Sequence, residues 1–148
     1  MTKRISISKL EPCAYKAMSK LEQYTKDSSV PPLLREMIKI RASQINSCAY
    51  CIDMHTRDAI KTGETPRRIF ALSAWKESPL FSAQERAVLQ LTEEVTLIGK
   101  KGVTDETYNN VLNFFSENEL AQLIMQIIVI NSWNRIVIST NQIFEPKD

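Results

Sequence analysis

A chain of 148 residues is long enough to bury a hydrophobic core and has the size of a single domain. Its formal net charge of +2, with no long basic run, excludes the electrostatic footprint of a nucleic-acid-binding protein. It has only three glycines, which together with long periodic apolar segments is typical of helices and not of turn-rich sheets.

Residues that begin or end helices divide the first half of the chain into four helical segments. The segments are predicted over residues 10–26, from Pro31-Pro32 to Ile45, from about Cys48 to Lys61, and from Thr65-Pro66 to Trp75. Proline suits the first turn of a helix because backbone N–H groups there lack helical acceptors. Gly63 marks a helix end, since glycine readily adopts the left-handed conformation that closes many helices.

Three further helices are predicted in the second half, two of them from a serine followed three residues later by a glutamate. This capping-box pattern satisfies two backbone N–H groups at a helix start. The predicted segments run from Ser82 to Gly99, from Thr104 to Phe114, and from Ser116-Glu117 to about Thr140. The sequence therefore predicts an all-α protein, a single-domain bundle of six to seven helices over residues 1–148.

The last predicted helix is apolar on two faces. One face carries Leu120, Leu123, Ile127 and Ile138, and the other carries Met125, Val129, Trp133 and Ile136. A helix that is apolar almost all round must be covered on both sides. A central core helix in a monomer would explain this, but in a short chain a second subunit is the stronger explanation. We therefore expect a homo-oligomer.

The same segment is not expected to cross a membrane. Five polar or charged residues interrupt its apolar run: Gln122, Gln126, Asn131, Asn134 and Arg135. The N-terminal residues lack the apolar stretch of a signal peptide. These observations predict a cytoplasmic protein without membrane or nucleic-acid partners, whose cysteines are in a reducing compartment.

Cys48 and Cys51 form a Cys-x-x-Cys motif where one predicted helix ends and another begins. Cysteines three residues apart can form and open a disulfide without unfolding the chain. Amide N–H groups in the first turn of a helix, together with the helix dipole, favour a thiolate over a thiol. The position of the pair therefore predicts redox activity.

His55 follows Cys51 by four residues, which is one helical turn on the same face. An ordinary thiol is only about 3% ionised at pH 7, so a neighbouring imidazole that removes its proton would increase its reactivity. His55 is two turns beyond Cys48, roughly 10 Å along the axis. Helical geometry therefore favours Cys51 as the nucleophile, although in thioredoxin-type sites the first cysteine usually attacks.

The sequence leaves two other roles open for the cysteine pair. Zinc would require a fourth ligand beside Cys48, Cys51 and His55, and the candidates are Cys13, Glu36 and Asp53. The two cysteines could also be buried and inert. A thioredoxin fold is set aside because it needs a βαβ unit that the sequence lacks. Cys13, outside the motif, is expected to be an unpaired thiol.

Several motifs together resemble the alkylhydroperoxidase D-like branch of the carboxymuconolactone decarboxylase superfamily. They are Glu36 followed by Cys48-x-x-Cys51-x-x-x-His55, the stretch 40–57, Trp75-x-x-Ser78-Pro79, Phe81-Ser82, Glu93-x-Val95-Thr96 and Asn131-x-Trp133-Asn134-Arg135. The resemblance covers most of residues 30–140. The best-studied members carry a histidine just before the second cysteine, where this chain has Tyr50.

The resemblance implies an all-helical fold that assembles into trimers or hexamers, with peroxidase or disulfide-reductase activity. It assigns Glu36 to a proton relay with His55, a role that its spacing alone does not suggest, since a lone helical glutamate is usually a surface charge. In this scheme Cys51 attacks a peroxide and Cys48 resolves the product. An external dithiol, lipoyl or thioredoxin-like, then restores the pair, and no metal, flavin or haem is needed. Lactone decarboxylation is the alternative within the superfamily, but it needs no cysteine pair.

Overall fold

The computed structural model describes residues 4–142, which form nine α-helices and one 3₁₀ turn. The helices are α1 (Ile7–Leu10), α2 (Pro12–Asp27), α3 (Pro32–Ile45), α4 (Ala49–Thr62), α5 (Pro66–Ala71), α6 (Ala83–Thr96), α7 (Ile98–Lys101), α8 (Asp105–Leu112) and α9 (Glu117–Thr140). The 3₁₀ turn over Leu72–Ala74 follows α5 directly. No strand occurs within this described range.

The all-α prediction is confirmed, and the count differs from six to seven only through α1 and α7. Each of these helices is a single turn of four residues, too short to produce an apolar periodicity in the sequence. Both predicted capping boxes, at Ser82 and Ser116, are present. The prediction that Gly99 ends α6 is wrong. The helix ends at Thr96, and Gly99 lies inside α7.

Helix α3 lies at the centre of the bundle and packs against α4, α6 and α9. It contributes to two hydrophobic clusters, since Leu34 and Ile38 pack with residues of α6, α8 and α9, while Met37 and Ile40 pack with residues of α4 to α6. Ile38 and Ile40 are fully buried. The central position of α3 fixes the polar side chains on its remaining face relative to α4.

Helix α9 has the length and composition of a membrane span, and half of its most apolar window is buried inside the fold. Leu120, Leu123 and Ile127 on its first predicted face are buried in the core, while Ile138 is largely exposed. Helix α2 packs against α9, and the rings of Tyr15 and Trp133 meet edge to face. Much of the second apolar face is therefore covered by the same chain, as in a core helix.

A short polar turn connects α3 to α4. Ser47 adopts a left-handed backbone conformation with φ 57°, and the Cys48 amide donates a hydrogen bond to the Ser43 carbonyl oxygen. The Asn46 side-chain amide donates to the side-chain oxygens of Asn131 and Asn134 on α9, at 2.9 Å each. These bonds hold the turn against α9 and fix the position at which Cys48 enters α4.

The buried carboxylate of Glu94 joins α6 to the start of α8. It accepts hydrogen bonds from the Thr104 amide, the Thr107 hydroxyl and the Gln90 side chain. Burial favours the neutral acid, but these hydrogen bonds outweigh burial and lower the pKa of Glu94 to about 2. The ionised Glu94 is therefore a structural group that stabilises the fold.

Glu94→Gln should lower the free energy of unfolding at pH 7 by roughly 2 kcal/mol, the scale of hydrogen bonds to a charged acceptor. Because the folded pKa lies below the ordinary value of 4.5, the stabilisation is complete above that value. It is lost as the pH falls through about 2. Urea denaturation at pH 7 and pH 3 measures the difference. The exposed Glu106→Gln is the matched control, and equal effects of the two variants would contradict this assignment.

Candidate active site

Cys48 and Cys51 form a disulfide with their Cα atoms 5.4 Å apart. Cys48 is the residue immediately before α4, and Cys51 lies in the first turn of that helix. Backbone N–H groups of a first helical turn lack helical acceptors and stabilise nearby negative charge. Reduction of the bond would therefore release the Cys51 sulfur where a thiolate is favoured.

The two sulfurs differ in their surroundings although both cysteines are buried. Cys51 lines a cavity of about 280 Å³, whereas Cys48 is not part of the cavity wall and packs beside Val137 of α9. A small molecule that enters the cavity therefore meets Cys51 first.

His55 and Glu36 form a hydrogen-bonded pair in the same cavity, with 2.8 Å between Nδ1 and Oε2. His55 is buried and lies one turn beyond Cys51 on α4, as predicted. Glu36 reaches it from α3, so the two helices together assemble the site. The arrangement joins a thiol, an imidazole and a carboxylate in a single cavity.

The Glu36 carboxylate is held in its ionised form. Burial raises its pKa, but the hydrogen bond and charge of His55 act in the opposite direction. The positive charges of Lys39 and Arg35 add to this effect, and the net result is a pKa below the ordinary value of 4.5. An ionised Glu36 orients the imidazole through this hydrogen bond.

Four further charged residues line the cavity that the sequence does not indicate as site residues: Glu22, Lys26, Lys39 and Asp58. Lys39 is buried, and its Nζ lies 2.8 Å from Glu22 and 3.9 Å from Glu36. Asp58 is one turn beyond His55, a spacing that could have indicated it. Glu22 belongs to α2, and no local pattern links it to this site.

The rest of the cavity wall is largely apolar or aromatic. It includes Tyr15, Tyr50, Met54, Ile130, Trp133 and Val137. Tyr50, which replaces the histidine of better-studied relatives of this pattern, therefore lies in the wall beside Cys51. The cavity combines one polar, reactive end with a wall that suits an apolar substrate body.

The structure does not bring every sequence-derived candidate to this site. Cys13 is exposed near the start of α2 and is a free thiol, as expected. Asp53 pairs with Arg57 on the outer side of α4, with 2.6 Å between Nη2 and Oδ2, and does not line the cavity. Neither residue can therefore complete a metal site with Cys51 and His55 here, whereas Glu36 lies in position to do so.

A comparison with known protein families shows which family this chain belongs to. The sequence profile of the carboxymuconolactone decarboxylase family matches residues 12–94, more than half of the chain. The chain belongs to the carboxymuconolactone decarboxylase family. The matched region contains all four candidate residues, Glu36, Cys48, Cys51 and His55.

Full-length similarity extends beyond the family profile. The uncharacterized protein YdfG of Bacillus subtilis is 48% identical over 139 residues, which are 94% of this chain and 95% of that protein. A solved structure from Agrobacterium tumefaciens, of unknown function and named as a candidate antioxidant defence protein AhpD, is 35% identical. It superimposes with a TM-score of 0.95 over 99% of this chain and 100% of that one.

The family fold also occurs with a different chemistry. The debrominase Bmp8, solved with 2,3,4-tribromopyrrole, has a TM-score of 0.82 at 18% identity, over 91% of this chain and 72% of that chain. A likeness at this identity shows a shared fold and not a shared activity. The alkylhydroperoxidase D-like fold is thus established for this family member, and family membership supports a peroxidase-related role at a general level.

Proposed function

We propose that this protein is a thiol-dependent peroxidase that reduces hydrogen peroxide or organic hydroperoxides. The observation that carries the proposal is the hydrogen-bonded His55–Glu36 pair in the same cavity as Cys51. A nucleophilic thiol needs a base within hydrogen-bonding reach, directly or through one water. Helical spacing puts His55 next to Cys51, and Glu36 orients the imidazole.

In the first step, the Cys51 thiolate attacks the terminal oxygen of the peroxide. The O–O bond breaks, Cys51 becomes a sulfenic acid, and the leaving alkoxide or hydroxide takes a proton from His55. The products of this step are the sulfenic acid and an alcohol or water. His55 thus receives the thiol proton before the attack and delivers it to the leaving oxygen.

In the second step, the Cys48 thiol condenses with the sulfenic acid. Water leaves and the Cys48–Cys51 disulfide forms, which is the state seen in the structure. An external dithiol, with a lipoyl or thioredoxin-like group, then returns two electrons and two protons by thiol–disulfide exchange. If the reduced cysteine pair instead reduced a disulfide of another molecule by this exchange, the protein would be a disulfide reductase, which is the main alternative.

Mild oxidation tests the assignment of the redox pair. One equivalent of peroxide per chain should remove the free thiols of Cys48 and Cys51 and leave Cys13 open to alkylation, because only the first two share a closed loop. Peptide mapping after alkylation measures this. A disulfide containing Cys13 as the main product would contradict the assignment.

Turnover is measured with hydrogen peroxide and an organic hydroperoxide, each with a lipoyl dithiol and with thioredoxin as reductant. Consumption of peroxide with at least one combination of peroxide and reductant supports the proposed peroxidase activity. If no combination supports turnover while the reduced protein still reduces a model disulfide, disulfide reductase activity replaces peroxidase activity as the proposed function.

We also propose that the protein works in the cytoplasm as a homo-oligomer, a trimer or hexamer. Ile128 and Ile138 of α9 are 41% and 45% exposed, and Ala14 and Ala17 of α2 are exposed as well, so one chain leaves apolar helix surface uncovered. A reducing compartment would supply the dithiol that the cycle needs.

Light scattering at micromolar concentration should give a mass of at least three times the 16.9 kDa chain. Ile128→Asp should lower that mass, because it puts a charge on the exposed face of α9. Phe70→Asp on α5, another exposed apolar side chain, is the control. A wild-type mass near that of one chain would refute the assembly.

A further inference from the structure

The cavity wall contains a set of metal-ligating groups that the peroxidase cycle uses only in part. Oxygen atoms of Glu36 and Asp58 and a ring nitrogen of His55 all lie within 4.8 Å of one another. Two members, Glu36 and His55, belong to the proposed relay. Asp58, whose side chain is half-exposed, has no part in it.

The spacing of these atoms suits a small divalent cation. Metal–ligand bonds of about 2.1 Å in a tetrahedral site separate neighbouring ligand atoms by roughly 3.4 Å. His55 Nδ1 and Glu36 Oε2 are already 2.8 Å apart, so a cation could replace the proton between them with a small shift. Asp58 would supply the third ligand from the solvent side of the cavity.

The oxidation state of Cys51 determines whether a fourth ligand exists. In the disulfide, the Cys51 sulfur is bonded to Cys48 and offers no thiolate. Reduction releases a sulfur that lines the same cavity, one helical turn before His55. A set of one thiolate, one imidazole and two carboxylates in a tetrahedral arrangement favours Zn²⁺ over Mg²⁺ or Ca²⁺, which prefer oxygen ligands.

Reduction of the disulfide also makes the charge of the cavity more negative, which favours cation binding. Besides the imidazole, its wall holds the carboxylates of Glu22, Glu36 and Asp58 against the ammonium groups of Lys26 and Lys39. Lys39 is already paired with Glu22, which offsets its repulsion of a cation near Glu36. A Cys51 thiolate adds a further negative charge, so the reduced cavity attracts a cation more strongly than the oxidised one.

We propose that Cys51, His55, Glu36 and Asp58 form a zinc site in the reduced protein. Zn²⁺ binds the Cys51 sulfur as its thiol proton leaves, and oxidation of the pair to the disulfide releases the metal. This site differs from a structural zinc held by the cysteine pair, because Cys48 takes no part. Zinc in this position occupies both the nucleophile and its base, so it reversibly inhibits the reduced enzyme.

Binding is measured on the full-length protein, reduced and freed of reductant without air, by titration with Zn²⁺ and with Co²⁺ as a spectroscopic probe. We expect one ion per chain and a thiolate-to-cobalt charge-transfer band in the reduced protein. In the oxidised protein the affinity should fall by at least about tenfold, since even an outer ligand partner has an effect of that size. Absence of binding to the reduced protein, or equal binding to both forms, would overturn the site.

Two matched pairs of variants locate the ion. Asp58→Asn should weaken zinc binding by about tenfold or more, while Asp53→Asn, on the outer side of the same helix, should not. Cys51→Ser should remove the cobalt charge-transfer band, and Cys48→Ser should keep it. If Cys48→Ser removes the band and Asp58→Asn leaves the affinity unchanged, the metal is held by the cysteine pair and the proposal is wrong.

Only the inhibition by zinc rests on the proposed peroxidase function. If peroxide turnover is detected, zinc should suppress the turnover and a chelator should restore it. The Asp58→Asn variant should be less sensitive to this inhibition by zinc. If turnover is never detected, the binding measurements still decide whether the site exists. The two proposals can therefore fail separately.

Discussion

Cys51→Ser should abolish the reaction with peroxide, whereas Cys48→Ser should still consume one equivalent and stop at a sulfenic acid on Cys51. The reason is the position of the two sulfurs: Cys51 lines the cavity with His55, while Cys48 is not part of the cavity wall. A base must come within about 3 Å of the proton that it takes, or act through one water. Only Cys51 meets this condition within a regular helix.

The three cysteines allow a matched series of serine variants. Single-turnover peroxide consumption and trapping of the sulfenic acid with a dimedone-type reagent measure the outcome. Cys13→Ser is the control and should behave as the wild type, since Cys13 is exposed and distant from the motif. If Cys51→Ser keeps the single turnover and Cys48→Ser loses it, the roles of the two cysteines are reversed.

His55→Ala should slow the reaction of Cys51 with peroxide by about 10²- to 10⁴-fold, the usual contribution of a positioned general acid or base. The imidazole has two tasks: it takes the thiol proton, and it returns a proton to the leaving oxygen. Its loss should also move the rise in the rate to higher pH, since the thiolate is then less favoured. Stopped-flow kinetics over a range of pH measures both effects.

Glu36→Gln separates orientation from proton transfer. The amide keeps the shape of Glu36 but loses its charge, so the hydrogen bond to His55 is weaker and the imidazole is held less firmly. Because the pKa of Glu36 is lowered, its carboxylate is ionised and able to form the hydrogen-bonded pair with His55 above the ordinary value of 4.5. The pair is lost as the pH falls through the folded value. Wild-type activity should therefore decline in acid through this group, and the variant should lack that step.

Asp58→Asn is the matched comparison, because Asp58 is a carboxylate in the same cavity that pairs with Lys61, whereas Glu36 is hydrogen-bonded to His55. It should keep the wild-type rate when no metal is present. A loss of activity in Asp58→Asn as large as that in Glu36→Gln would mean that the negative charge of the cavity, and not the hydrogen bond to His55, supports the reaction.

Most helices could be predicted from sequence because their boundaries are set by local chemistry. Ser82 and Ser116 satisfy the amides of their own helix starts, and Gly63 closes α4 in the left-handed conformation. The four-residue turns α1 and α7 carry no such periodic signal. Gly99 was misassigned because a glycine alone does not identify a helix end; the left-handed position belongs to Gly102.

The candidate site was predictable only along α4, where Cys51 and His55 are one turn apart. Glu36 lies 19 residues before His55, and only the packing of α3 against α4 brings them into contact, so the resemblance was needed to choose it. Lys39 of α3 and Glu22 of α2 meet only in the folded chain, through long side chains that no sequence pattern pairs. The packing of α2 over part of the second apolar face of α9 is likewise a tertiary contact, so the sequence alone does not predict it.

The burial of both cysteines has a consequence for the electron donor. Thiol–disulfide exchange requires the incoming sulfur to reach one of the two bonded sulfurs, and access limits its rate. Cys48 is only 1% exposed and Cys51 2%, and only Cys51 opens into the cavity. In the proposed cycle, the donor would therefore form its mixed disulfide with Cys51, while Cys48 leaves as the thiolate. A donor whose sulfur is carried on a narrow arm should therefore reduce the disulfide faster than a bulky donor of the same reduction potential. The width of the cavity opening would thus select among electron donors.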